Sequence, residues 1–322
     1  MARSRPTDSP TDRSGFPSVP TGLELPDQSA RTWLVTGATQ GIGLEVARAA
    51  ARAGARLVIP ARDAERGQAV SEDLRRLGAD VLVGRMDLAD LDSVRAFAAG
   101  LDEPIDVLVN NAGTVTPRRR ETTDGFEMIL GTNFLGPFAL TNLISGHLRG
   151  RVVIVGSGAH HSGRVDAADP HFRHRRWSIA AAYAQSKLCD MLWARALHER
   201  LAAQPTTVGV QLAHPGWAVT NLQNATGVPV LDRAVSGACR MIGQSAAEGC
   251  LPVLEAAVTG LPPLTYLGPD GFRQWRGKPE PQQASALARD DTAAEAIWDL
   301  GVRATGTDLG MADQQIHGRP SR

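Results

Sequence analysis

Thr36-Gly37-Ala38-Thr39-Gln40-Gly41-Ile42-Gly43 follows directly on the apolar run Thr32–Thr36 and opens a stretch of helical period, Gly41–Ala53. Glycines let the backbone turn sharply and approach a pyrophosphate without Cβ interference. The helix behind them offers free N–H groups and the positive end of its dipole. A glycine cluster alone is also what an ordinary strand-to-helix turn contains. Its place in a first βαβ unit selects the dinucleotide reading, with Gly37, Thr39, Gln40, Gly41, Ile42 and Gly43 as cofactor contacts.

Outward from this turn, short apolar runs recur at Arg56–Pro60, Val81–Arg85, Ile105–Asn110, Arg151–Val155, Thr207–Ala213 and Leu264–Leu267. Most are apolar throughout rather than alternating, which suits parallel strands covered on both faces. Helical stretches separate them: Ala64–Leu77, Leu91–Ala99, Asp124–Leu148, Ala180–Ala203 and Ala246–Val258. Ser245 and Glu248 have capping-box spacing, and Asp291 with Glu295 would open a last helix. Strand and helix in alternation predict right-handed crossovers and one α/β, Rossmann-type doubly wound domain over residues 30–306. Residues 1–29 carry five prolines and no apolar run, so they read as a disordered leader, and 307–322 as a flexible tail.

Composition narrows the function classes. The chain is 43% hydrophobic and 21% charged, as soluble globular proteins are. Its 34 basic residues balance 34 acidic ones, so no global field points to nucleic acid or an anionic surface. Cys189, Cys239 and Cys250 lack metal-ligand spacing, and no metal is expected. No stretch approaches the roughly 20 apolar residues of a membrane span. A cytoplasmic protein follows.

The end of the second strand bears on which nucleotide is bound. An acid there hydrogen-bonds the ribose 2′-OH of NAD. Here Ala61 fills that place and Arg62 follows, and a guanidinium pairs with a 2′-phosphate. Asp63 either reaches the ribose or caps the next helix, and Arg62 could also be a solvated loop charge. The pattern favours NADP(H). Asp87-Leu88 is placed to contact the adenine. Asn110-Asn111-Ala112-Gly113, through Asn111, Ala112 and Gly113, would run beside the cofactor, although alone it could be only a turn.

Downstream, Tyr183 and Lys187 stand four apart in a helical pattern and so share one face. A free phenol titrates near pH 10, and a neighbouring cation favours the phenolate, so the pair suits general acid–base work. The bland alternative is a surface pair at helical spacing. Ser157 ends the fifth strand, where a hydroxyl can hydrogen-bond a substrate oxygen.

Together, TGATQGIG at Thr36–Gly43, NNAG at Asn110–Gly113, Asn133 within GTNFLGPFALT, Ser157, YAQSK at Tyr183–Lys187 and HPGWAVT at His214–Thr220 resemble the short-chain dehydrogenase/reductase superfamily. The resemblance runs from Arg31 to the end of the last helix. NFLGPFALTNLI, SKLCDMLWARAL and the 26-position interval from Ser157 to Tyr183 are closest to the retinol dehydrogenase-like branch and its bacterial relatives. It implies a seven-stranded parallel sheet of order 3-2-1-4-5-6-7 and interconversion of an alcohol with a ketone or aldehyde. Tyr183 would exchange the proton, and Lys187 would bind the nicotinamide ribose and acidify Tyr183. Ser157 would orient the substrate oxygen and Asn133 hold a relay water. Pro215, Gly216 and Thr220 would flank the nicotinamide. Gly156 departs from the family, where Ser is common.

The histidine- and arginine-rich insertion His160–Trp177 reads as a loop at the site rim, not a metal or nucleic-acid site. Cys189 reads as a packed helix residue. Segment Asn221–Gln244 reads as an apolar lid, which implies a small, largely apolar substrate, and a homo-oligomer through the helices Asp124–Leu148 and Ala180–Ala203 is an option. Two other readings stay open: an NADP(H)-binding regulatory protein without turnover, and a tailoring ketoreductase of specialised metabolism.

Overall fold

A computed structural model describes residues 25–217 and 244–310. Among the described residues eight strands form one sheet, in the order β3-β2-β1-β4-β5-β6-β7-β8. They are β1 (Thr32–Val35), β2 (Arg56–Ala61), β3 (Val81–Arg85), β4 (Ile105–Asn110), β5 (Leu148–Val155), β6 (Gly209–Ala213), β7 (Tyr266–Pro269) and β8 (Pro279–Pro281). The first seven are parallel and take the expected order. The eighth strand was not expected. Pro279-Glu280-Pro281 pairs antiparallel with β7, Gly268 opposite Glu280. Proline lacks the N–H of an interior ladder, so such a run reads as loop, yet an edge strand tolerates it.

Successive side chains of a strand point to opposite faces, and both faces of this sheet are buried. Leu34, Val58, Leu108, Val152 and Ile154 pack under α3 (Leu91–Ala99), α5 (Gly136–Leu143), α6 (Ile179–Ala202) and α9 (Asp291–Thr305). Val35, Leu57, Val109, Val153 and Val155 pack under α1 (Gly41–Arg52), α2 (Ala64–Arg76) and α8 (Leu251–Val258). This two-sided burial is why the strands show little alternation in the sequence.

The stretch expected as one helix over Asp124–Leu148 is broken. A short α4 (Met128–Leu130) runs into a π-helical turn at Gly131–Leu135 before α5, and a 3-10 turn at Ser145–His147 leads to β5, which starts three residues before Arg151. The Ser245–Glu248 capping box forms as expected and opens α7 (Ala246–Gly249), with α8 following. Asp290, not Asp291, caps α9 by accepting from Ala293 N. Neighbouring residues decide which carboxylate reaches the orphan N–H groups, and spacing alone does not separate them.

The folded body extends past both expected boundaries. Buried Gln28 donates its backbone N–H to Ala53 O at 2.8 Å and accepts from Trp33 Nε1 at 3.2 Å. At the other end, Trp298 Nε1 donates to Asp308 Oδ1 at 3.2 Å. Leader residues 1–24 and tail residues 311–322 lie outside the described residues. Among the described residues, no helix is long and apolar enough to cross a membrane.

Candidate active site

The carboxyl ends of β1, β4, β5 and β6 bring the motifs together. Thr36 knots the first two. Its hydroxyl donates to Val109 O at 3.2 Å and accepts from the N–H groups of Asn111 and Ala112, both at 3.0 Å. Asn111 Nδ2 returns a bond to Thr36 O at 3.0 Å, so the side chain ties the two strand ends. Gly37 and Gly41 have φ of 69° and 58°, which Cβ-bearing residues adopt at a cost. A Cβ on Gly43 would meet Asn111 Nδ2 and lie 2.5 Å from Gly37 O. The loop around Ala38, Thr39 and Gln40 therefore closes on Asn111 only with glycine at 43. Among the described residues no side chain caps α1, and no acid sits in its first turn, whereas Asp63, Asp90 and Ser178 cap α2, α3 and α6. Ile42 is buried behind the loop. A cradle of backbone with an uncapped helix start fits an anionic dinucleotide.

At the end of β2, the choice left open at Asp63 resolves. Its carboxylate accepts from Arg66 N at 3.1 Å and pairs with Arg66 Nε at 3.3 Å, so it caps α2. Arg62 is exposed and has no hydrogen-bond or ion-pair partner among the described residues. Ala61 is packed tightly: a Cβ added at Gly67 would lie 2.8 Å from its own Cβ. Asp87 lies two residues past the end of β3, with Oδ1 accepting from Ala89 N at 3.0 Å, and Leu88 is buried beside the start of α5.

The π-helical turn places Asn133. Its Oδ1 accepts from Thr114 N at 2.7 Å, and its Nδ2 donates to Thr114 O at 3.2 Å and Ser186 Oγ at 3.1 Å. Asn133 thus grips the chain beyond Gly113 and the middle of the Tyr183–Lys187 turn. Lys187 is buried, its Nζ 6.0 Å from the Tyr183 ring centre, donating to Val155 O at 2.8 Å and Asp190 Oδ2 at 2.9 Å. Burial opposes the ammonium, but Asp190 and Tyr183 outweigh it and hold Lys187 above its ordinary value. Burial pushes the Asp190 carboxyl up against the pull of Lys187. Tyr183 is half-buried, on the same face of α6 one turn before Lys187.

Ser157 follows β5 and is half-buried. Its Oγ accepts from Ala159 N at 3.2 Å, and its carbonyl accepts from His160 Nδ1 at 2.7 Å. His160 Nε2 accepts from Ser285 N at 3.1 Å, so both ring nitrogens are engaged in the neutral form. Burial lowers its pKa to about 4, and does the same to His214. Gly156 touches α6, where an added Cβ would lie 3.1 Å from Met191 Sδ. Pro215 and Gly216 follow β6. Gln244 Nε2 donates to Pro215 O at 2.6 Å and Trp217 N to Trp275 O at 2.8 Å, which docks the turn on the β7–β8 connection. Thr220, Cys239 and all of the expected lid Asn221–Gln244 except Gln244 lie outside the described residues.

The rim loop is more tied down than its sequence suggested. Asp169 accepts from the N–H groups of Arg173, His174 and Arg175. Arg175 stacks on Phe172 at 3.7 Å and bonds Gln185 of α6. Cys189 is buried, as expected of a packed residue. Sequence reasoning missed Asp190 and His160. The signal for Asp190 was a carboxylate three residues after Lys187, on the same helix face.

The short chain dehydrogenase family model matches residues 31–228. Mouse polyprenol dehydrogenase is 40% identical over 90% of this chain and 88% of its own length. Human retinol dehydrogenase 13 is also 40% identical, over 88% of this chain and 87% of its own. A solved structure from Mycobacterium paratuberculosis superposes with a TM-score of 0.74 at 38% identity, covering 89% of this chain and 97% of that one. With the cradle, the Asn133 turn and the Tyr183–Lys187 pair all in place, the chain belongs to the short-chain dehydrogenase/reductase superfamily of oxidoreductases, in its retinol dehydrogenase-like branch.

Proposed function

We propose that the chain interconverts an apolar alcohol and the corresponding ketone or aldehyde with NADP(H), using Tyr183 as general acid and base. The observation that carries this is convergence. Lys187 is pinned to Val155 O, the last residue of β5. Two residues further along stands Ser157, so one strand end carries the serine and holds the ammonium, whose Nζ is 6.0 Å from the Tyr183 ring centre.

When bound, the nicotinamide supplies or accepts the hydride at the carbon. The chain's own residues handle the oxygen. In reduction the Tyr183 phenol gives its proton to the oxygen as hydride reaches the carbon, and in oxidation the phenolate takes it back. Ser157 Oγ hydrogen-bonds the same oxygen, and Lys187 stabilises the phenolate and binds the ribose. Asn133 keeps the α6 turn in register through Ser186.

Two features support the finer assignments. Arg62 is unpaired among the described residues while Asp63 is committed to the α2 cap, which leaves a guanidinium for a 2′-phosphate and no carboxylate to repel it. The names of the relatives, retinol and polyprenol dehydrogenase, denote apolar alcohols. A cytoplasmic setting and a homo-oligomer remain part of the proposal. The test is a panel of apolar ketones and aldehydes with NADPH or NADH: NADPH-dependent reduction is expected, and binding of NADPH with no turnover across the panel would contradict it.

A further inference from the structure

We propose that Asp190 is a positioning residue of this site: its carboxylate anchors the Lys187 ammonium and sets how much of that charge the Tyr183 phenol feels. The inference rests on the proposed function, in which Tyr183 moves the proton.

Three observations carry it. Asp190 Oδ2 is 2.9 Å from Lys187 Nζ, and the two side chains are 2% and 7% exposed, so water screens the pair little. The other oxygen, Oδ1, is buried with no hydrogen-bond partner among the described residues. A half-satisfied buried carboxylate costs stability that a neutral packing residue at this position would not, so packing does not account for it. Lastly, the lysine's other partner is a neutral carbonyl, Val155 O. Asp190 is thus the one anion in contact with the ammonium among the described residues.

Among the described residues the charged and titratable surroundings are few. On α6, Asp190 is faced by Lys187 and Cys189, and Lys187 in turn by Tyr183. From β7, buried Tyr266 faces Tyr183. His160 and His214 pack on Tyr266 and are neutral around pH 7. Next to its counter-ion, the ammonium acts on Tyr183 as one end of a dipole instead of a lone charge, and its field there is weaker. Asp190 therefore keeps the phenol in its proton-donating form to higher pH, the form that carbonyl reduction consumes.

The chain has two tyrosines, and burial pushes Tyr266 strongly upward, so the ultraviolet phenolate band of Tyr183 is read apart from it by substitution. Tyr183→Phe should remove it. The full-length wild type, Asp190→Asn and Asp190→Ser are titrated this way, with no substrate present. The expected result is a phenolate midpoint about one pH unit lower in Asp190→Asn than in the wild type. Asp190→Ser repeats the measurement should the Asn variant not fold. A midpoint that is unchanged or higher overturns the proposal. Because the titration needs no substrate, a wild type that reduces no carbonyl would refute the proposed function while leaving this result to stand or fall separately.

Discussion

Asn133 Nδ2 donates to Ser186 Oγ at 3.1 Å, and Ser186 Oγ donates to Tyr183 O at 2.9 Å. Through these two bonds the π-helical turn holds the one turn of α6 that separates Tyr183 from Lys187. Asn133→Ala removes that hold and leaves the Thr114 N–H and carbonyl without their partner. We expect a stability loss of about 1–3 kcal/mol in urea unfolding. We also expect kcat to fall by about tenfold or more with NADPH affinity little changed. Equal kcat would show that the turn is only structural.

Gly43→Ala places a Cβ against Asn111 Nδ2 and 2.5 Å from Gly37 O. Backbone has to move, at a cost of about 1–3 kcal/mol. The phosphate loop is what moves, so fluorescence titration should show NADPH binding weakened by at least about tenfold. Wild-type affinity would mean the loop is not the phosphate cradle.

Arg62→Ala tests the nucleotide assignment. Loss of a guanidinium–phosphate pair should weaken NADPH binding by about 1.5–3 kcal/mol while leaving NADH unchanged. A wild type that prefers NADH would contradict the assignment outright.

Much of this architecture is legible in the sequence because the relevant forces are local or periodic. Seven strands show as apolar runs since both sheet faces are covered. Gly43 and Asn111 lie in motifs whose chemistry explains their residue types. Less shows where a tertiary contact decides. Phe134 and Leu135 continue the apolar pattern of the flanking helices through Gly131–Leu135, so the π-helical turn is invisible until Asn133 finds Thr114 and Ser186. Pro279-Glu280-Pro281 becomes a strand only because β7 offers an open edge. Asp63 carried two readings, and the reach of its carboxylate to Arg66 N chose between them. Asp190 drew no notice because nothing in the spacing says that α6 buries its flank beside β5.

Stability should depend on pH through His160 and His214. Burial lowers both from 6.5 to about 4 in the folded chain. Between those values the unfolded chain binds more protons, so stability present above pH 6.5 is lost as the pH falls toward 4. The loss is on the order of 2 kcal/mol per histidine. Asp190 works the other way, because its carboxyl is raised by burial and the folded chain takes up that proton first. Urea midpoints at pH 7 and pH 5 should differ, lower at pH 5, and His160→Asn should shrink the difference. A midpoint independent of pH would contradict the buried neutral histidines.

If Tyr183 moves the proton, steady-state reduction of an apolar carbonyl with NADPH must separate the wild type from Tyr183→Phe. The substitution removes a single hydroxyl from a half-buried ring and should leave the fold and NADPH binding intact. Turnover should fall by about 10²–10⁴-fold. Turnover equal to wild type, with NADPH still bound, would contradict it.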